Sequence, residues 1–279
     1  MVAITGDDGV TYNFHVDAKL KHFLDEKVIK RINTRDKDYV MLISGYEGSG
    51  KSTFASQVCK YVDNNFNLDN VVFSPEDFKQ AIITAGKGEA VLYDEAVTGL
   101  TAGGSITKVG RLLKSLMMQM RQKNLFVVVV IPSVFELNKY AVLHRAMCLF
   151  HVYEKKNRYA WVGYNKADTK TNYILGKKTN TMKVKSRFIG RFLASMGLEK
   201  ESYLIKKQEA FDKEDEVAEK VNKFSIQRDA YLKIIKDILG NAKRAFDAQK
   251  DIKYPLSYTR VMEIGSEQAE VGGKYVQKA

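Results

Sequence analysis

An α/β fold, with a mainly parallel sheet flanked by helices, is what this sequence predicts, and three observations carry it. Residues Gly45-Tyr46-Glu47-Gly48-Ser49-Gly50-Lys51-Ser52-Thr53 satisfy the pattern G-x-x-x-x-G-K-[ST] at every fixed position, between an apolar run (Tyr39 to Ile43) and a helix-like stretch (Thr53 to Val62). Leu125 to Ile131 is almost wholly apolar and rich in β-branched residues, the composition of a strand covered on both faces. Apolar runs alternate with helical patterns at the spacing that strand–helix–strand layers need.

The elements follow in order. Leu20, Phe23, Leu24, Val28 and Ile32 recur at helical spacing, so Asp17 to Arg31 reads as an amphipathic helix within a helical lead-in over 1–36. Val71-Val72-Phe73 is a short apolar segment. Ser74-Pro75-Glu76-Asp77 opens a helix, with Ser74 as cap and Pro75 in the first turn, that ends near Gly86. Ala90 to Tyr93 is a second buried strand and runs into Asp94-Glu95. A Gly/Thr-rich loop, Thr98 to Thr107, leads to a long helix from about Val109 to Gln122. Met147 to Tyr153 and Tyr159 to Tyr164 read as a hairpin turned by Glu154 to Arg158.

Beyond that hairpin the pattern changes. Asn165 to Arg191 is strongly basic and reads as a basic hairpin, and the chain from Glu199 to about Gln249 reads as helical, with Tyr203, Phe211, Val217 and Phe224 on core or docking faces. The last stretch, with Pro255, Gly265, Gly272 and Gly273, reads as irregular. The expected organisation is a core domain over 1–164, a basic and helical extension over 165–250 and a tail over 251–279.

Composition narrows the function classes. The 45 Lys and Arg against 33 Asp and Glu give a formal charge of +12, which favours a polyanionic partner such as nucleic acid. Cys59 and Cys148 are the only cysteines and lie in apolar contexts, which argues against a disulfide framework or a zinc site and for a reducing compartment. The four histidines have no partners at ligand spacing. The N-terminus lacks a signal-peptide pattern and the most apolar run is far too short for a membrane span, so the expectation is a cytoplasmic protein.

The glycine-rich loop carries the chemistry. Its glycines let backbone N–H groups of Gly45, Gly48, Ser49, Gly50 and the following residues turn onto a triphosphate, and the helix entered at Lys51-Ser52-Thr53 directs its positive end at the same charge. Lys51 would reach the β- and γ-phosphate oxygens of ATP or GTP, and the Ser52 hydroxyl would hold Mg²⁺. Asp94 and Glu95, neighbours at a strand end, point in different directions. One carboxylate, Asp94, can serve the metal, and the other, Glu95, can orient or deprotonate an attacking water. A plain surface turn is the alternative for that pair.

With these residues the chain resembles the additional-strand class of P-loop ATPases, and within it the FtsK/HerA-type DNA translocases and their zonular-occludens-toxin-like relatives. The likeness runs from about Tyr39 to Tyr164. It rests on the phosphate loop, on Leu92-Tyr93-Asp94-Glu95, and on Arg121 followed by Leu125 to Ile131 and Pro132-Ser133, with Arg145 a dozen residues on. The resemblance implies ATP hydrolysis with Mg²⁺, a homo-oligomeric ring, movement of double-stranded DNA, and a virus, phage or mobile element as source with a portal, capsid or replication partner. It also implies an arginine acting in trans, for which Arg145 leads over Arg121 and Arg111. The family's polar sensor, usually Gln, is replaced here by Ile131-Pro132, with Ser133 as the nearest substitute.

Lys177, Lys178, Lys183, Lys185 and Arg187, set among Tyr173, Phe188 and Phe192, are the candidate nucleic-acid contacts. A solvated basic surface over core aromatics is the other reading, and the Thr98–Thr107 loop is a second candidate. An oligomeric nucleic-acid motor therefore stands beside two other classes: an ATP-switched assembly or loading factor, and a kinase acting on a small molecule or polynucleotide.

Overall fold

The computed structural model describes residues 1–6, 9–94, 115–156 and 158–213, with the side chains of Met117 and Met118 excepted, and the isolated residues Leu232 and Gly240. Glu95, Arg111, the Thr98–Thr107 loop, the helical stretch beyond 213 and the tail lie outside the described residues. Met1–Phe211 form one compact unit and Asp212–Ala279 a second.

Seven strands make one sheet in the order β4-β5-β6-β3-β7-β8-β9: β3 (Tyr39–Gly45), β4 (Val71–Val72), β5 (Ala90–Asp94), β6 (Phe126–Ile131), β7 (Ala146–Glu154), β8 (Tyr159–Asn165) and β9 (Phe188–Arg191). The first five in that order run parallel, and β8 and β9 continue the sheet antiparallel. Strand β6 stands between β3 and β5, with Ile43 level with Val130 and Val130 level with Asp94.

The apolar run in β6 has a direct cause. Phe126, Val128 and Val130 join the core on one face of the sheet, and Val127, Val129 and Ile131 join the core on the other. With no face left to water, alternation disappears and every position is apolar. The first face is covered by α1 (Ala18–Phe23), a π-helical turn (Leu24–Ile29), α2 (Lys30–Asn33) and α3 (Lys51–Val62). The second is covered by α4 (Pro75–Thr84), α5 (Met117–Gln122) and α6 (Lys166–Gly176).

Most start signals behave as the sequence predicts. The Ser74 hydroxyl accepts the Asp77 N–H at 3.0 Å with Pro75 at the first helical position. The Asp17 carboxylate accepts the Lys19 N–H at 2.9 Å and opens the lead-in helix. The Glu154–Arg158 turn closes the expected hairpin of β7 and β8, with Glu154 opposite Tyr159. No described helix is long and apolar enough to cross a membrane.

Two segments differ from expectation. The lead-in is not helical throughout: β1 (Val2–Thr5) and β2 (Thr11–Phe14) pair antiparallel, with Phe14 fully buried. The basic hairpin expected after Asn165 is, in its first half, helix α6. Asn165 caps it by accepting the Asp168 N–H at 2.9 Å. Its buried positions are mostly polar and hydrogen-bonded. The Thr169 hydroxyl donates to the Asn165 carbonyl at 2.8 Å, and the Asn172 side-chain oxygen accepts from the Lys183 and Val184 N–H groups, both at 2.8 Å. A packing face made mostly of polar residues leaves no hydrophobic period to read.

Candidate functional site

Strand β3 delivers the chain into the glycine-rich loop, and α3 begins at Lys51, after Gly50 in the left-handed region (φ 84°). Gly48 also has positive φ (73°), and a Cβ there would meet nothing, so its glycine serves the backbone turn alone. Gly50 combines both demands, because a Cβ would approach the Phe192 ring to 3.1 Å and the Tyr159 ring to 3.2 Å. Those two rings stack at 5.3 Å and form an aromatic floor beneath the end of the loop. Inside the loop the Tyr46 carbonyl accepts from the Ser49 hydroxyl at 2.7 Å and from Lys51 Nζ at 2.8 Å.

Burial disfavours the Lys51 ammonium, while Asp94 and Glu47 partly restore it and the like charge of Lys207 opposes it, so its pKa lies below the ordinary lysine value. His151 on β7 faces the same end of the sheet. Its Nδ1 is 3.1 Å from the Ser44 hydroxyl, and burial, then the charge of Lys51, hold the imidazole below its usual pKa.

Asp94, at the end of β5, is fully buried. It accepts a hydrogen bond from the Tyr203 hydroxyl, and the Ser52 side chain lies close enough to that phenol to oppose the rise in its pKa. Two positions far apart in sequence, one on α3 and one on β5, thus converge on one point. Burial first, then Asp94, push the Tyr203 pKa well above the usual phenol range.

These residues fit a nucleoside triphosphate with a hard divalent cation. The loop leads into the first turn of α3 and holds a lysine whose hydrogen bond goes to a carbonyl and not to a carboxylate. Ser52 and Asp94 are oxygen donors close enough to share one hydroxyl partner. Bound there, Mg²⁺ would supply positive charge to the phosphate oxygens.

No protein-family model matches the chain, and no curated protein matches it. Among solved structures, the N-terminal domain of zonular occludens toxin from Neisseria meningitidis is similar to it, at 16% identity over 46% of this chain and 84% of that domain, with a TM-score of 0.32.

The remaining candidates are placed as follows. Arg145 and Asp38 form an ion pair, with side chains 11% and 9% exposed, where β7 and β3 begin. That is the end of the sheet opposite the phosphate loop, separated from it by the length of β3, on the order of 20 Å. Arg121 is exposed in the last turn of α5, five residues before β6 begins at that same end of the sheet. Neither is brought to the loop within the chain. The Ser133 hydroxyl accepts the Phe135 N–H at 3.3 Å and so caps a short turn.

Lys178, Lys183, Lys185 and Arg187 are all exposed, and from 181 to 191 exposed and half-buried residues alternate. Arg187 is held by Asp168 through Nε at 2.6 Å and a second nitrogen at 3.3 Å. Lys177 Nζ donates to the Tyr173 hydroxyl at 2.6 Å. The neighbouring aromatics pack inward: Tyr173 and Phe192 are core residues and Phe188 lies against Trp161.

Tyr203 and Ser44–His151 are the parts of the site that sequence reasoning does not find. Tyr203 carries a helical-period signal that any core tyrosine carries. Its contact with Asp94 spans 109 residues, and no local pattern encodes it.

Proposed function

We propose that this protein is a Mg²⁺-dependent ATP hydrolase that works as an oligomeric nucleic-acid motor, of the kind that moves or packages double-stranded DNA for a virus, phage or mobile element. The observation that carries the nucleotide half is the convergence of Lys51, Ser52 and Asp94 at the C-terminal edge of a parallel sheet. The interposed strand β6 supports membership in the additional-strand class, in which Glu95, next to Asp94, activates water. The nucleic-acid half is supported by the net charge and by the exposure of Lys183, Lys185 and Arg187.

In this reading Lys51 holds the phosphates in ground and transition states alike, whereas Glu95 acts on the water. Fluorescent ATP should bind the full chain and fail to bind Lys51→Ala. Glu95→Gln should bind normally and hydrolyse ATP slower by orders of magnitude. Wild-type turnover should rise when duplex DNA is added. Turnover indifferent to DNA, with ATP-dependent complex formation, would favour the switch reading, and transfer of label to an acceptor the kinase reading.

A further inference from the structure

The helix α7 (residues 200–213) puts Tyr203 into the nucleotide site, a contact the proposed hydrolysis does not require. Tyr203 is 3% exposed, and its ring lies 5.7 Å from Phe73. Its hydroxyl donates to Asp94 and meets the Ser52 hydroxyl, the two oxygen donors that suit a divalent cation. One turn further on, Lys206 Nζ donates to the Leu68 and Val71 carbonyls at 2.7 and 2.9 Å, which moors the helix beside β4.

A carboxylate with no exposure needs a partner, and here a phenol proton supplies part of what a cation would. Magnesium takes oxygen ligands at about 2.0–2.1 Å in a nearly octahedral shell. A cation held by Ser52 and Asp94 would need the space that the phenol oxygen fills, so that the hydroxyl and the cation would compete for the same two residues.

We propose that Tyr203 is a further residue of the nucleotide site: its hydroxyl bridges Ser52 and Asp94 in the cation's place and gives way when the cation arrives with nucleotide, so that loading the site releases helix α7. This rests on the nucleotide reading given above. Loading would then be reported outward through the mooring of Lys206.

The test uses the full chain and a fluorescent ATP analogue, titrated with Mg²⁺ and with EDTA. Tyr203→Phe removes the competing hydroxyl and keeps the ring, so affinity should rise about tenfold with Mg²⁺ and stay unchanged in EDTA. On the wild type, trypsin should cut after Lys206 and Lys207 faster with Mg²⁺ and a non-hydrolysable ATP analogue than with the analogue in EDTA. This second measurement decides the matter if Tyr203→Phe does not fold. A folded Tyr203→Phe whose affinity with Mg²⁺ is equal or lower, or a trypsin pattern indifferent to Mg²⁺, overturns the proposal while leaving the nucleotide site in place. A wild-type chain that binds no analogue under either condition overturns the nucleotide reading and this proposal with it.

Discussion

Gly45 and Val152 lie opposite each other in β3 and β7, so close that a Cβ on Gly45 would stand 2.2 Å from the Val152 carbonyl oxygen. The first glycine of the phosphate loop is therefore a packing requirement of the sheet as well as a loop residue. Gly48, at the middle of the loop, has open space around it.

Gly45→Ala should accordingly destabilise the fold by about 1–3 kcal/mol or more, since backbone is the obstacle and cannot turn aside. Gly48→Ala meets no atom and should cost about 1–2 kcal/mol through its positive φ alone. Urea unfolding of both variants measures the difference. Equal losses would mean that the β3–β7 contact does not limit residue 45.

Arg145→Ala should leave the buried Asp38 without its ion-pair partner, with an expected loss of about 3–5 kcal/mol. Replacing both partners with apolar residues should recover much of that loss. Chemical denaturation of the single and double variants tests this. A folded Arg145→Ala chain of wild-type stability that binds ATP and does not turn it over would instead assign the residue a role in trans.

The pH dependence follows from His151. Its folded pKa is depressed, so the neutral imidazole contributes stability fully above the ordinary histidine range. That contribution is lost as pH falls through this range towards the depressed folded value, because the unfolded chain takes up the proton first. The urea midpoint should therefore fall between about pH 7 and pH 5, and His151→Asn should flatten that part of the profile. An unchanged profile in the variant would place the titrating group elsewhere.

Lys183 and Lys185 point outward without a described carboxylate partner, whereas Arg187 is engaged by Asp168. If the two lysines meet phosphates, replacing both with Ala should lower affinity for all duplex sequences alike and flatten the log–log salt slope by about 1.8. Fluorescence anisotropy across a salt series reads both quantities. Unaltered affinity and slope would remove this face from the polymer site and turn the search to the Thr98–Thr107 loop.

The legible parts of this protein are those whose cause is local. The phosphate loop, the cap at Ser74, the strands β3, β5 and β6 and the β7–β8 hairpin each follow from spacing and composition within about a dozen residues. The polar packing face of α6 was not legible, because Asp168 and Asn172 accept hydrogen bonds from chain that lies later in sequence, at Arg187, Lys183 and Val184. The β1–β2 pair was missed because four-residue strands of mixed composition leave too short a pattern.

By itself, then, the sequence determined that a lysine and a serine follow a phosphate-cradling turn, and that an acidic pair ends a buried strand. Only the tertiary structure decided what meets them. Asp38 and Arg145 are 107 residues apart, as are Ser44 and His151, and Tyr203 reaches Asp94 across 109. Such contacts are set by which strands become neighbours and how their ends align. Strand order arises from burying two apolar faces of one sheet at once, and a periodicity read along the chain carries no term for it.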